Sequence, residues 1–118
     1  MMGVNINCRY QDFVGEILSG KKIMETRNSD SLRPYVGKRV GIVRTGCGKA
    51  KLEGFATILA KVEFNNEADF RAMESIHLVH KGSKYDFRDK KYGYILTDIE
   101  RCEPRECHSF GIVAREVI

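Results

Sequence analysis

The chain has 118 residues, a formal net charge of +4 and four cysteines. This length predicts a single domain that buries about two-thirds of its unfolded surface. No run approaches the roughly 20 apolar residues of a membrane span, and no Cys-x-x-Cys pair indicates a metal centre. The sequence therefore predicts a cytoplasmic protein with no membrane contact, no metal ion and no cofactor.

Basic residues are concentrated in one part of the chain. Residues 21–51 hold nine lysines and arginines against two acidic residues, a net charge of +7, whereas the remainder carries −3. Such asymmetry is typical of proteins with phosphate-bearing partners, because each neutralised phosphate releases counterions. A charged surface that only keeps the protein in solution has the same pattern, so both interpretations stay open.

The first predicted elements are a strand near residues 4–8, a helix and a second strand. Apolar residues recur at the spacing of one helical face, and Gly20 stands where the helix should end. In the strand that follows, alternation predicts Glu25 and Arg27 on the face that also holds Ile23. Residues on the opposite face would be Lys22, Met24 and Thr26.

Strands are predicted next over residues 39–44 and 56–64, the second with a clear period of two. Asn65 or Asn66 can cap a second helix, whose inner face includes His77 as a core histidine. Strands at residues 92–101 and 110–117 follow, the last with Phe110 and Ile112 in alternation. The chain is therefore predicted to be an α+β fold of about six strands and two helices, with a small closed barrel as one arrangement.

The segment from residue 20 to residue 27 resembles the Gly-x-Lys-x-x-Glu-x-Arg signature of the ASCH (activating signal cointegrator homology) family. The matching residues are Gly20, Lys22, Glu25 and Arg27. Residues 36–42 are similar to the family's glycine, basic residue and strand, and residues 92–96 to its aromatic-glycine-aromatic strand, followed by Pro104. The resemblance implies a single ASCH domain over residues 1–118, with the PUA-like β-barrel of that family.

The residue types of the signature are suited to polar chemistry. Lys22 is a compact donor, Glu25 an acceptor and candidate base, and Arg27 a planar donor for phosphate or a base edge. An ordinary Glu25–Arg27 ion pair is the structural alternative. The ASCH resemblance implies that a cleft here binds single-stranded RNA or a modified nucleoside or nucleotide. Outer phosphate contacts would come from Arg39, Arg44, Lys49 and Lys51.

Two other functions stay open. Some small ASCH proteins hydrolyse N4-acetylcytidine with a signature lysine, a threonine three residues later and a distal glutamate, and others are linked to RNA cleavage. Lys22 matches the lysine, but Glu25 occupies the threonine position and Thr26 comes one residue later. A hydrolase or ribonuclease would use Lys22 and Glu25 as catalytic residues. The distal carboxylate would be Glu63, Glu67 or Glu74, and the other function is a protein-interaction module.

Overall fold

The computed structural model describes all 118 residues, in six strands, three α-helices and a 3-10 turn at Arg33–Tyr35. The strands are β1 (Met2–Asn7), β2 (Met24–Arg27), β3 (Arg39–Thr45), β4 (Lys51–Phe64), β5 (Lys91–Glu106) and β6 (Ala114–Glu116). The helices are α1 (Phe13–Leu18), α2 (Glu67–Ala72) and α3 (Glu74–His77). The helices have four to six residues each, so none is long enough to cross a membrane.

All six strands form one mixed sheet in the order β2-β5-β4-β3-β1-β6. The β1–β3 pair is parallel and the other four pairs are antiparallel. This confirms the α+β class and the six strands. The sheet is open, since no strand pairing joins β2 to β1 or β6, and the predicted closed barrel is not confirmed.

Local sequence signals define the helix ends, and two of them, Gly20 and Asn66, were expected from the sequence. The Asp12 side chain accepts a hydrogen bond from the Gly15 backbone N–H and caps α1, and Gly20 ends it with a φ of +83°. Asn66 caps α2 in the same way through the Asp69 N–H. The second predicted helix is in fact two helices, because the helical conformation is interrupted at Met73. The predicted count of two helices is therefore wrong.

The break between α2 and α3 is stabilised by a buried histidine. The His77 ring stacks on Phe70 with centroids 4.0 Å apart, and its Nε2–H donates to the Phe70 carbonyl oxygen at 2.7 Å. Its Nδ1 accepts from the Val79 N–H at 2.9 Å, so the ring is neutral. Burial lowers the pKa of His77, as expected for a core histidine without a charged partner.

The C-terminal part differs from the predicted strand over residues 110–117. Only Ala114–Glu116 form a strand, while Phe110 and Ile112 are 95% and 97% exposed. The Asn5 side-chain amide donates hydrogen bonds to the carbonyl oxygens of Gly111 and Ile112. Together with the bond from the Asn5 N–H to the Val113 carbonyl oxygen, they attach the segment to β1 without a continuous strand ladder, and both apolar side chains are exposed to solvent.

Candidate functional site

A cavity of about 310 Å³ lies between β1 and β2, where the sheet is open. Its walls come from β1, β2, the end of β3, α1 and the loop before β5. The charged side chains among its 13 lining residues are those of Lys22, Glu25, Arg27 and Lys91. The cavity therefore contains three signature residues and has an excess of positive charge.

Glu25 is the centre of the charged cluster. Its Oε1 lies 3.8 Å from the Lys22 ammonium, and its Oε2 accepts a hydrogen bond from Arg27 Nη2 at 3.0 Å. The predicted separation of Lys22 from Glu25 on opposite strand faces is wrong. Strand β2 begins only at Met24, so the alternation does not extend back to Lys22.

Lys22 is held in place by groups from three elements. Its backbone N–H donates to the Glu16 carbonyl oxygen, and its ammonium donates to the His77 carbonyl oxygen. The same ammonium lies 4.5 Å from the centroid of the Phe13 ring. The residue is 1% exposed, and this burial lowers the pKa of its ammonium despite the charge of Glu25. The neighbouring Lys21 is exposed.

Arg27 connects the two strands that border the cavity. Its Nη2 donates to the Asn5 carbonyl oxygen of β1 at 2.7 Å as well as to Glu25. The Arg27 Nε is buried and has no partner in the protein. A buried donor without an acceptor costs free energy. This cost indicates that the position of Arg27 serves contact with a ligand as well as stability.

Lys91 was not among the site residues predicted from the sequence. It is 2% exposed at the first position of β5 and lines the cavity. Burial lowers the pKa of its ammonium to about 8 although the charge of Glu25 opposes the shift. No local pattern distinguishes Lys91 from Lys90, so this position depends on tertiary structure.

The remaining walls are aromatic and amide-rich. Phe13 and Tyr85 line the cavity, and their ring centroids are 5.8 Å apart. The ring centroid of Tyr85 lies 6.3 Å from that of the exposed Tyr10. These three rings form an aromatic row (Phe13, Tyr85, Tyr10) from the cavity to the surface. Neutral donors and acceptors along the other walls come from Asn5, Asn7, Thr26, Asn28 and Thr45.

The predicted outer contacts do not line the cavity. Arg39 lies at the far end of β3 from Thr45, about 20 Å away at 3.3 Å per residue, and pairs with Glu100. Arg44 is hydrogen-bonded to the carboxylates of Asp12 and Glu53. The exposed residues Gly20, Lys49 and Lys51 also lie outside the cavity walls.

None of the three candidate distal glutamates borders the cavity either. Glu63 Oε1 lies 3.9 Å from Lys61 Nζ, and Glu67 is exposed in the first turn of α2. The Glu74 carboxylate binds the side chains of Arg71 and His80. Thr26, in contrast, is part of the wall. No group of three or more His, Cys, Asp and Glu side chains is arranged to hold a metal ion.

The fold is similar to solved structures of one other protein. Three crystal structures of ASCH from Zymomonas mobilis, the protein itself and two single-residue mutants, superpose with a TM-score of 0.72 at 21% sequence identity. They match 89% of this chain and 72% to 74% of the solved chains. No protein-family model and no curated protein matches the sequence. The similarity shows that the chain has the fold of an ASCH domain.

Proposed function

We propose that the chain is a single ASCH domain over residues 1–118, with the family's PUA-like barrel architecture, and that its cavity binds one nucleotide unit. The unit is a free nucleoside or nucleotide, modified or not, or one residue of single-stranded RNA. The observation that carries this proposal is the cavity itself, in which Lys22, Glu25 and Arg27 converge beside an aromatic wall.

The dimensions and chemistry of the cavity fit one unit. A volume of about 310 Å³ is at the small end of ligand pockets, so a whole oligonucleotide cannot enter. Glu25 and the amides offer acceptors and donors for a base edge, and Arg27 offers a planar donor. The structural alternative, an ordinary Glu25–Arg27 ion pair at the surface, does not explain why Lys22 and Glu25 are both buried.

The aromatic row gives the base a stacking surface. Base–aromatic stacking contributes about 1–3 kcal/mol per base and tolerates any sequence. We expect Tyr85→Leu to weaken nucleoside and RNA binding by an amount in this range, measured by isothermal titration calorimetry. Tyr35→Leu is the control, because Tyr35 packs against the core outside the cavity. Equal losses from the two substitutions would remove the stacking role.

Two adjacent lysines test the signature directly. Lys22→Met removes a charged hydrogen-bonding group inside the cavity, so we expect a loss of about 1.5–3 kcal/mol of binding free energy for nucleosides, nucleotides or short RNA. Lys21→Met removes the same charge from an exposed position and should cost much less. Equal effects would contradict the placement of Lys22 in the site, and a wild-type protein that binds none of these ligands would end the proposal.

Hydrolysis of a modified nucleoside is the second candidate function. It is favoured by the lowered pKa of Lys22 beside Glu25, since a group that titrates nearer neutrality can transfer a proton. If the chain is an amidohydrolase, water cleaves the amide of N4-acetylcytidine to cytidine and acetate, and Lys22→Met abolishes turnover while binding survives. Chromatography of the incubated nucleoside measures this. Unchanged N4-acetylcytidine with the wild-type protein would exclude this substrate.

A further inference from the structure

The cavity contains more positive charge than its own carboxylate balances. Glu25 is placed between Lys22 and Arg27, which compensates much of the charge of those two residues. Each of the two also donates to a backbone carbonyl oxygen, that of His77 for Lys22 and that of Asn5 for Arg27. The Lys22 ammonium is therefore satisfied within the protein, and so is Arg27 at Nη2, although its buried Nε has no partner.

Lys91 differs from them because its ammonium forms no hydrogen bond or ion pair. The two carboxylates whose charges act on it are Glu25 and Asp86. Glu25 is occupied by Lys22 and Arg27, while Asp86 accepts from Arg71 and from the N–H groups of Gly82 and Phe87. A lysine that is 2% exposed and unpaired is costly, and it borders an open cavity.

A phosphate group supplies the anionic hydrogen-bond acceptor that the Lys91 ammonium lacks. It brings one to two negative charges and several strong acceptor oxygens, whereas a neutral nucleoside would leave Lys91 unpaired. Resting on the proposed function, we infer that Lys91 binds the phosphate of the ligand, so that the cavity selects a phosphorylated nucleoside or a terminal RNA phosphate over a neutral nucleoside. The proposed phosphate contact therefore lies at the start of β5, outside the basic segment at residues 21–51.

Calorimetric titration of the wild-type protein tests the inference. The probes are the four nucleosides, their 5′- and 3′-monophosphates, inorganic phosphate, and a short RNA with and without a terminal phosphate. One charge-assisted hydrogen bond in a buried site corresponds to about a tenfold or greater gain in affinity. We therefore expect the monophosphates to bind at least about tenfold more tightly than the nucleosides. Comparison of the two RNAs then distinguishes a free nucleotide from an RNA end as the source of the phosphate.

Matched variants assign the gain to Lys91. Lys91→Met should remove the preference for monophosphates, so that they bind no more tightly than the nucleosides, because the phosphate contact is lost. Lys90→Met removes the same charge one residue away, outside the cavity wall, and should keep the preference. If Lys91→Met fails to fold, Lys91→Arg serves as the second variant. It preserves the charge and should retain part of the preference for monophosphates. Thermal unfolding of each variant checks that the fold is intact.

The outcomes separate this inference from the proposed function. Equal wild-type affinity for nucleosides and monophosphates would overturn the role of Lys91 while leaving nucleoside binding in place. A parallel loss of both ligands in Lys91→Met would also overturn it, since the residue would then act through the structure. If the wild-type protein binds no nucleoside, nucleotide or RNA, the proposed function itself fails.

Discussion

At the scale of single residues, the buried lysines of the cavity, Lys22 and Lys91, are costly for stability and have the binding role that we propose for them. Lys91 is 2% exposed and its ammonium has no partner in the protein, so its charge is poorly solvated except through the cavity. Such an arrangement is typical of functional positions, because a group selected for stability alone would be paired or apolar.

The first residue-scale prediction is that Lys91→Met stabilises the protein at pH 7. The pKa of Lys91 is about 8 in the folded chain, against an ordinary value of 10.5, so the folded state resists protonation. Removing the charge should raise the free energy of unfolding by about 1–3 kcal/mol. Thermal and urea denaturation at pH 7 measure the change. A destabilised Lys91→Met protein, compared with Lys90→Met, would show that Lys91 has a structural role.

The sign of the pH effect follows from the same lowered pKa. Between about pH 8 and 10.5 the unfolded chain binds a proton at Lys91 that the folded chain does not, so this contribution to stability rises with pH in that window. Below pH 8 the full penalty is present. The wild-type protein should therefore gain stability relative to Lys91→Met as the pH increases from 8 towards 10.

Ligand affinity should have the opposite pH dependence. The ammonium form of Lys91 binds phosphate, so monophosphate affinity should fall as the pH rises from 7 to 9. The other charged groups that act on Lys91 are Glu25, Asp86, Arg88 and Lys22. Titration of Lys91→Met over the same range is the control. A fall that persists in this variant would show that a group other than Lys91 causes it.

At the scale of elements, the cavity exists because two strands approach each other without pairing. Beyond Val4, β1 no longer pairs with β6, and the Asn5 carbonyl oxygen accepts its bond from Arg27 of β2. The side chain of Asn5 binds the C-terminal segment at Gly111 and Ile112, and its Oδ1 accepts from Arg115 Nε. One residue therefore connects the signature, β1 and the rim of the cavity.

Asn5→Ala tests this connection. The substitution removes the two donated bonds and the one accepted bond, and it leaves their partners unsatisfied, so we expect a loss of about 1–3 kcal/mol in unfolding free energy. Asn7→Ala is the control in the same strand, because its side chain accepts only the Arg9 N–H. Chemical denaturation measures both. Equal costs would show that the triple contact of Asn5 adds nothing.

At the scale of the whole molecule, the positive charge of residues 21–51 has two separate uses. Arg39 and Arg44 are engaged in ion pairs with Glu100, Asp12 and Glu53. Lys49 is exposed and lines a second concavity that shares Thr45 with the cavity. Its Nζ lies 3.8 Å from Glu106 Oε2, and we expect an RNA chain that leaves the cavity on this side to contact Lys49.

Salt dependence measures this outer contact. We expect the double substitution Lys49→Ala and Lys51→Ala to lower the slope of log affinity against log salt for single-stranded RNA by roughly 0.7 per lost phosphate contact. Mononucleotide binding should stay unchanged, since neither lysine lines the cavity. Lys21→Ala with Lys38→Ala removes the same charge from exposed positions elsewhere and is the matched control. An unchanged RNA slope would identify the basic segment as solvated surface.

The sequence by itself determined the features that depend on near neighbours. The end of α1 at Gly20, the Asn66 cap, the strand at residues 39–44 and the buried His77 all follow from propensity and periodicity within a few residues. The four signature residues were identified in the same way, as a short motif.

Only the tertiary structure decided which of these residues share a cavity. Lys22 meets His77 across 55 positions, and Lys91 joins Glu25 across a still longer separation. The Asn5 side chain donates to the carbonyl oxygens of Gly111 and Ile112, more than 100 residues away, in the segment that holds the exposed Phe110 and Ile112. A local pattern cannot encode such contacts, since burial and charge compensation are set by packing between distant segments. For that reason the charge of the basic segment did not indicate which cations line the cavity, and the unpaired lysine at the start of β5 could be found only in the fold.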